Sequence, residues 1–109
     1  MTANEKAKFA PQLSYSAAAG DGTYKAFSAA LTKNPAMIIF DNQTSVSVTI
    51  SDDGLTDGKT FVTGEAMILD LRTNKLSQSN DLTWPIGTLF FGKSIAGTGT
   101  FLISVVYAS

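Results

Sequence analysis

Cysteine and histidine are both missing from this chain of 109 residues. Without cysteine it has no disulfide, no thiolate nucleophile and no thiolate-ligated zinc. Without histidine it has no imidazole general base, metal ligand or pH switch. Charge is scarce as well. Charged side chains make up 16% of the sequence, against about 25% in an ordinary domain. Eight basic and nine acidic residues leave a net charge of −1. They are scattered, so no basic patch exists for phosphate, and no nucleic-acid partner is expected. Apolar runs stop far short of the roughly 20 residues that cross a bilayer as a helix. Met1 to Ala10 is polar and has no apolar signal core. The expectation is therefore no membrane partner, no secretory leader, and synthesis in a cytoplasm.

What is present is strand-forming sequence. Hydrophobic residues make up 44% of the chain. Its length suits one domain, which hides roughly two thirds of the surface its unfolded chain exposes. Val46, Val48 and Ile50 alternate with Ser45, Ser47, Thr49 and Ser51, the period of a strand with one solvated face. Ala36-Met37-Ile38-Ile39-Phe40 is a continuous apolar run and reads as a strand buried on both faces. Asp41-Asn42-Gln43 reads as the turn after it. Thr23 to Leu31 reads as a strand, with Thr23, Tyr24 and Phe27 outweighing the alanines. Ala66 to Arg72 sets Met67, Leu69 and Leu71 on one face, Ile68 and Asp70 on the other. Thr73 to Thr83 is a polar loop. The closing segment, Thr100 to Ala108, carries Phe101, Ile103, Val105 and Tyr107 on one face and Leu102 and Val106 on the other. A strand apolar on both faces lies either in the middle of the core or at a subunit contact. Asp-Gly and Gly-rich turns separate these runs at 8- to 12-residue spacing. The expected fold is all-β: one jelly-roll-like β-sandwich of about seven or eight short antiparallel strands over residues 13–109.

Residues 1–12 read as a separate arm. They show no alternation, and Pro11 stops any helix from running into the domain. Such a segment is either a frayed terminus or an extension that orders on a partner. Phe9, Pro11, Trp84, Leu102 and Val106 are the candidate partner contacts.

Catalytic and metal chemistry find little to stand on. Asp52, Asp53 and Asp57 could supply oxygen ligands to calcium, but their spacing is not that of an EF-hand, and two Asp-Gly turns explain them. Glu65 and Asp70 are the acids near hydrophobic strand residues and could supply the two carboxylates of a glycosidase, but the sequence gives no distance between them and neither lies in a motif. Gly97-Thr98-Gly99 leads into a strand rather than the helix a phosphate loop requires. Trp84, with Tyr15, Tyr24 and Tyr107, could form a sugar-stacking platform, or Trp84 could cap one end of the sandwich. No catalytic residue, metal ligand or cofactor is assigned, and the expectation is a protein that is not an enzyme.

Several motifs carry a resemblance. Phe40-Asp41-Asn42-Gln43-Thr44 precedes the Val46, Val48, Ile50 strand and an Asp-Gly turn. Gly64-Glu65-Ala66 and Leu69-Asp70-Leu71-Arg72-Thr73-Asn74 follow. Pro85-Ile86-Gly87-Thr88 comes next, and Gly97-Thr98-Gly99-Thr100-Phe101 opens a closing strand that ends Tyr107-Ala108. Over Ile38 to Tyr107, roughly two thirds of the chain, the sequence resembles a family of small virion structural proteins of tailed bacteriophages. The resemblance implies a component present in many copies on a particle made in the host cytoplasm, and carries no catalytic residue with it. The form expected is a capsid decoration (cement) protein, a homotrimer that contacts the major capsid protein. The alternatives are a tail, neck or fibre component, or a carbohydrate-binding β-sandwich.

Overall fold

The alternating segments build nine strands in the computed structural model, which describes residues 6–71 and 84–108. In chain order they are β1 (Ala7–Phe9), β2 (Leu13–Ser16), β3 (Lys25–Ala26), β4 (Met37–Thr44), β5 (Val48–Ser51), β6 (Lys59–Phe61), β7 (Ala66–Asp70), β8 (Phe91–Lys93) and β9 (Gly99–Ala108). A 3-10 turn, Ala17–Ala19, follows β2. The first sheet runs β1-β9-β4-β7, with β2 on the same side of β9 as β1; the second runs β3-β8-β5-β6. All the pairings are antiparallel. The chain is thus an all-β protein of two antiparallel sheets packed face to face.

The core fills the space between the sheets. The first sheet sends in Leu13, Tyr15, Ile38, Phe40, Phe101, Ile103 and Val105; the second sends in Val48, Ile50 and Phe61. Burying each such side chain stabilises by about 1.5–3 kcal/mol. Phe61 bridges the layers, its ring centroid 5.7 Å from Phe40 and 5.2 Å from Phe101. Edge-on and offset ring pairs of this kind add about 1 kcal/mol each beyond area burial.

Three sequence expectations change at this level. Asp41-Asn42-Gln43 is not a turn but part of the second half of β4. Asn42 is fully buried there, and its side chain finds partners that no local pattern announces. Nδ2 donates to the carbonyls of Phe61 at 2.9 Å and Val46 at 3.0 Å; Oδ1 accepts from the Thr44 N–H at 3.0 Å and lies 2.6 Å from the Thr44 hydroxyl. The turn falls instead at 45–47, so β4 and β5 are separate strands in different sheets.

Second, of Thr23 to Leu31 only Lys25–Ala26 is strand. The Phe27 N–H bonds to the Phe90 carbonyl at 2.8 Å, beyond the end of β8, and the next N–H, of Ser28, bonds to Ser14 of β2 at 3.0 Å. The chain is crossing from one sheet to the other there, with Phe27 and Leu31 buried as it does so. Third, the run Ala36 to Phe40 is not buried on both faces. Ile38 and Phe40 are buried, while Met37 and Ile39 are partly exposed, because β4 lies in an outer layer with a partner sheet on one side only.

Within the segment expected as an arm, Ala7–Phe9 pair with Ala108–Val106 of the same chain. The Thr73–Thr83 loop and Arg72 lie outside the described residues.

Candidate assembly surface

The pleat that sends Ile38, Phe40, Ile103 and Val105 inward turns the residues between them outward. In an antiparallel sheet, residues directly opposite one another share a face. Phe9 stands opposite Val106, and Val106 opposite Met37. One row on, Ile39 stands between Ser104 and Ile68. In the next row Leu102 is opposite Asp41. Phe9, Val106, Met37, Ile39, Ile68 and Leu102 therefore lie on the outer face of the first sheet. Phe9 is 77% exposed and Ile68 62%; the other four are partly exposed. Asp41 and Asp70 are the acidic residues in these rows.

The second sheet is built differently. Its outward positions are Thr49, Thr60 and Lys93, with the Thr49 and Thr60 hydroxyls bonded across the strands at 2.9 Å. Phe91, also outward, packs under Gly54. The outward strand positions of the second sheet are thus mostly hydroxyl and ammonium groups, with Val62 and Leu55 exposed in the segments flanking β6, whereas those of the first sheet include several branched aliphatic and aromatic side chains. Contiguous exposed apolar surface of this sort marks an interaction site more often than a solvent face.

Of the five residues singled out as partner contacts, the structure gathers Phe9, Leu102 and Val106 onto this face. Pro11 is exposed beside the strand break between β1 and β2. Trp84 lies elsewhere. Its ring meets Phe90 and Phe40 edge-on at centroid distances of 5.2 and 6.0 Å, and its indole N–H donates to Asp52 Oδ2 at 3.0 Å. It flanks an apolar cleft of about 240 Å³ between the sheets, walled also by Phe40, Phe61, Met67 and Leu69. Met37, Ile39 and Ile68 were not singled out. The signal was present for Ile68, already placed opposite the Met67 and Leu69 face, but for the other two it was hidden in a uniform apolar run.

The acidic loop forms no metal cage. Asp53 Oδ1 accepts from the N–H groups of Thr56 and Leu55 and from the Ser51 hydroxyl, each at 2.8 Å. These donors hold the Asp53 carboxyl at about 2. Asp57 takes the Tyr24 hydroxyl and the Lys93 ammonium, which lower its pKa, while Lys93 also sits 4.7 Å from the Tyr24 ring centre. Asp52 holds Trp84. Each carboxylate thus faces its own partner, and among the described residues no three acidic side chains converge. Glu65 is tied to Lys59 at 3.0 Å and to the Val62 N–H, both of which lower its pKa. This downward shift is opposite in direction to the raised pKa with which a glycosidase's acid carboxyl works.

No family model matches the chain, and no curated protein or solved structure matches it either.

Proposed function

We propose that this chain is a non-enzymatic structural protein of a tailed-bacteriophage particle, which works by burying the outer face of its first sheet against further copies of itself and against the shell. The observation that carries the assembly reading is that face, with Phe9, Val106, Met37, Ile39, Ile68 and Leu102 in adjoining rows. The low charge of the chain supports it, since a surface with few ionic groups loses little hydration when covered. The particle itself is inferred from the sequence motifs, and within it capsid decoration by a homotrimer is the form preferred. Stable interfaces of this kind bury about 1,600 Å². A tail, neck or fibre role uses the same surface. A sugar-binding role is less well supported, because the one tryptophan spends its indole N–H on Asp52 and packs on the core aromatics.

Light scattering on the purified chain and on the double variant Ile39→Lys/Ile68→Lys tests the assembly reading. A native mass near three times the 11.5 kDa of one chain, reduced to one chain by the two lysines, is the expected result. A monomeric native chain, or a variant that still assembles, overturns it. The virion reading is tested in gradient-purified particles of the phage that encodes the sequence. The chain is expected in fixed stoichiometry on heads. Recovery on isolated tails moves it to the tail role, and its absence from particles removes the virion role.

A further inference from the structure

The first strand is attached to the sandwich in an unusual way. Ala7, Lys8 and Phe9 are all exposed, and none belongs to the core. What holds β1 is the main-chain ladder to β9, which Ala10 extends by donating its N–H to the Val105 carbonyl at 2.9 Å, plus Phe9 lying beside Val106 on the outer face and Ala10 packed at the margin of the core. Between β1 and β2 the register slips. Phe9 is opposite Val106 and Leu13 is opposite Ile103, so Ala10, Pro11 and Gln12 span the length of only Ser104 and Val105. That is a bulge with one extra residue, and Pro11 within it has no N–H to give to the ladder. On the far side of β9, β4 stops earlier. Its pairing begins at Met37 opposite Val106, so Tyr107 and Ala108 have β1 as their strand neighbour among the described residues. The end of the first sheet is thus a short two-stranded ribbon, and such ribbons are marginal on their own.

We infer that β1 is exchanged between copies of the chain: Ala7–Phe9 of one molecule pairs with Val106–Ala108 of another, the chain crossing over at Pro11–Gln12. The partner is a second copy because the acceptor edge already matches this segment in register. The exchanged ladder contains the same hydrogen bonds as the closed one, so the change in free energy comes from the linker and from concentration rather than from new chemistry, the usual condition for strand swapping. Exchange is also continuous with the outer apolar face. Phe9 shares a row with Val106 and Met37, so a donated β1 carries its Phe9 onto the acceptor's face. The inference rests on the reading of this chain as self-assembling.

Cysteine mapping tests it cleanly, since the natural chain has no thiol. Ala7 and Ala108 are direct partners, and opposed residues of adjacent strands lie within disulfide reach. Separate Ala7→Cys and Ala108→Cys variants are mixed at assembling concentration, unfolded and refolded together, and oxidised. A disulfide between the two variants can form only across chains. Expected is a covalent heterodimer as the main product, several-fold above the homodimers that either variant gives alone. The double variant Ala7→Cys/Ala108→Cys should give covalent oligomers that dissociate on reduction. If the double variant closes on itself to a single-chain product and the mixture stays uncoupled, exchange is wrong. Absence of any disulfide in either experiment also counts against it. Light scattering on the natural chain separates the two failures. An oligomer whose disulfides are all within one chain keeps the apolar-face reading and loses the exchange. A natural chain that is monomeric throughout loses both.

Discussion

Asn42 of the first sheet is bonded to Phe61 of the second: its Nδ2 donates to the Phe61 carbonyl at 2.9 Å, and the bond is buried. The same side chain holds the Val46 carbonyl and the Thr44 N–H, so it closes the 45–47 turn as well. Its own main chain is engaged with the Glu65 carbonyl and the Gly64 N–H, each at 2.9 Å. A buried amide is stable only when its donors and acceptors are all met, and here they are.

Asn42→Ala takes the side-chain partner from the Phe61 carbonyl and the Thr44 N–H, leaves the Val46 carbonyl with the Thr44 hydroxyl at 2.8 Å, and opens space beside Phe61. Each unmet buried group costs about 1–3 kcal/mol. The expected loss is about 3 kcal/mol of folding stability, a large share of what a domain of this size has. The urea midpoint should fall with little change in slope. An unchanged midpoint would mean that water replaces the amide at no cost and that the sheets do not depend on this bond.

Gly99 and Gly22 should respond differently to alanine. Both have positive φ, +88° and +84°. A Cβ on Gly22 meets nothing within 4 Å, whereas one on Gly99 comes to 2.3 Å from the Gln43 carbonyl oxygen. Gly22→Ala therefore carries only the backbone strain, about 1 kcal/mol. Gly99→Ala carries that strain and also forces β4 and β9 apart at their last pair, Thr44 opposite Gly99. Thermal melts should show a drop for Gly99→Ala at least twice that for Gly22→Ala. Equal drops would refute the close approach of the strands.

The contrast between these sites shows how much could be read from the chain itself. Of the Val46, Val48, Ile50 alternation only Val48 and Ile50 belong to a strand, legible because their side faces Phe61 and its neighbours; Val46 falls in the 45–47 turn, and Ser51, read as solvated, is buried. Two sheets could be inferred for the same reason. Asp41-Asn42-Gln43 misled because Asp and Asn favour turns through local hydrogen bonds, and the acceptor that keeps Asn42 in a strand lies 19 residues away. The outer face was half legible. Leu102 and Val106 stood out because β9 is apolar on both sides, and Phe9 because it is aromatic in a polar segment. Ile39 could not be told from Ile38, since only the order of strands in the sheet decides which of two adjacent isoleucines meets the core.

Trp84 offers a third test. It packs on Phe40 and Phe90 at one opening of the core, so its loss should unsettle the fold rather than silence a binding site. Trp84→Ala is expected to cost about 2 kcal/mol, below the roughly 3–5 typical of a fully buried tryptophan because this one is partly exposed. Trp84→Phe should keep most of the packing and lose the bond to Asp52. Circular dichroism melts check both variants. A Trp84→Ala variant with unchanged melting that loses binding on a glycan array would favour the carbohydrate reading instead.

The last prediction concerns acid. Asp53 and Asp21 are each held at about 2 in the folded protein, against an ordinary 3.8. For Asp53 the cause is the Thr56 and Leu55 N–H groups and the Ser51 hydroxyl; for Asp21 it is the hydroxyl of Thr23 first, then Lys25 and the Thr23 N–H. A carboxyl with a depressed folded pKa favours the folded state when ionised, so its contribution is complete above about pH 4 and is lost as pH falls toward 2. Asp57 and Glu65, also lowered, act in the same direction. With no histidine in the chain, no side chain has its ordinary pKa between pH 5 and 8. The melting temperature should therefore be nearly level from pH 8 to 5 and fall steeply between about 4 and 2. Asp53→Asn removes one titrating group. The variant should be less stable than the natural chain at pH 7, and the gap should shrink as pH falls toward and through 2, where the Asp53 carboxyl takes up its proton in the folded state. If the gap stays constant across that range, the Asp53 charge is not what its loop is built to hold.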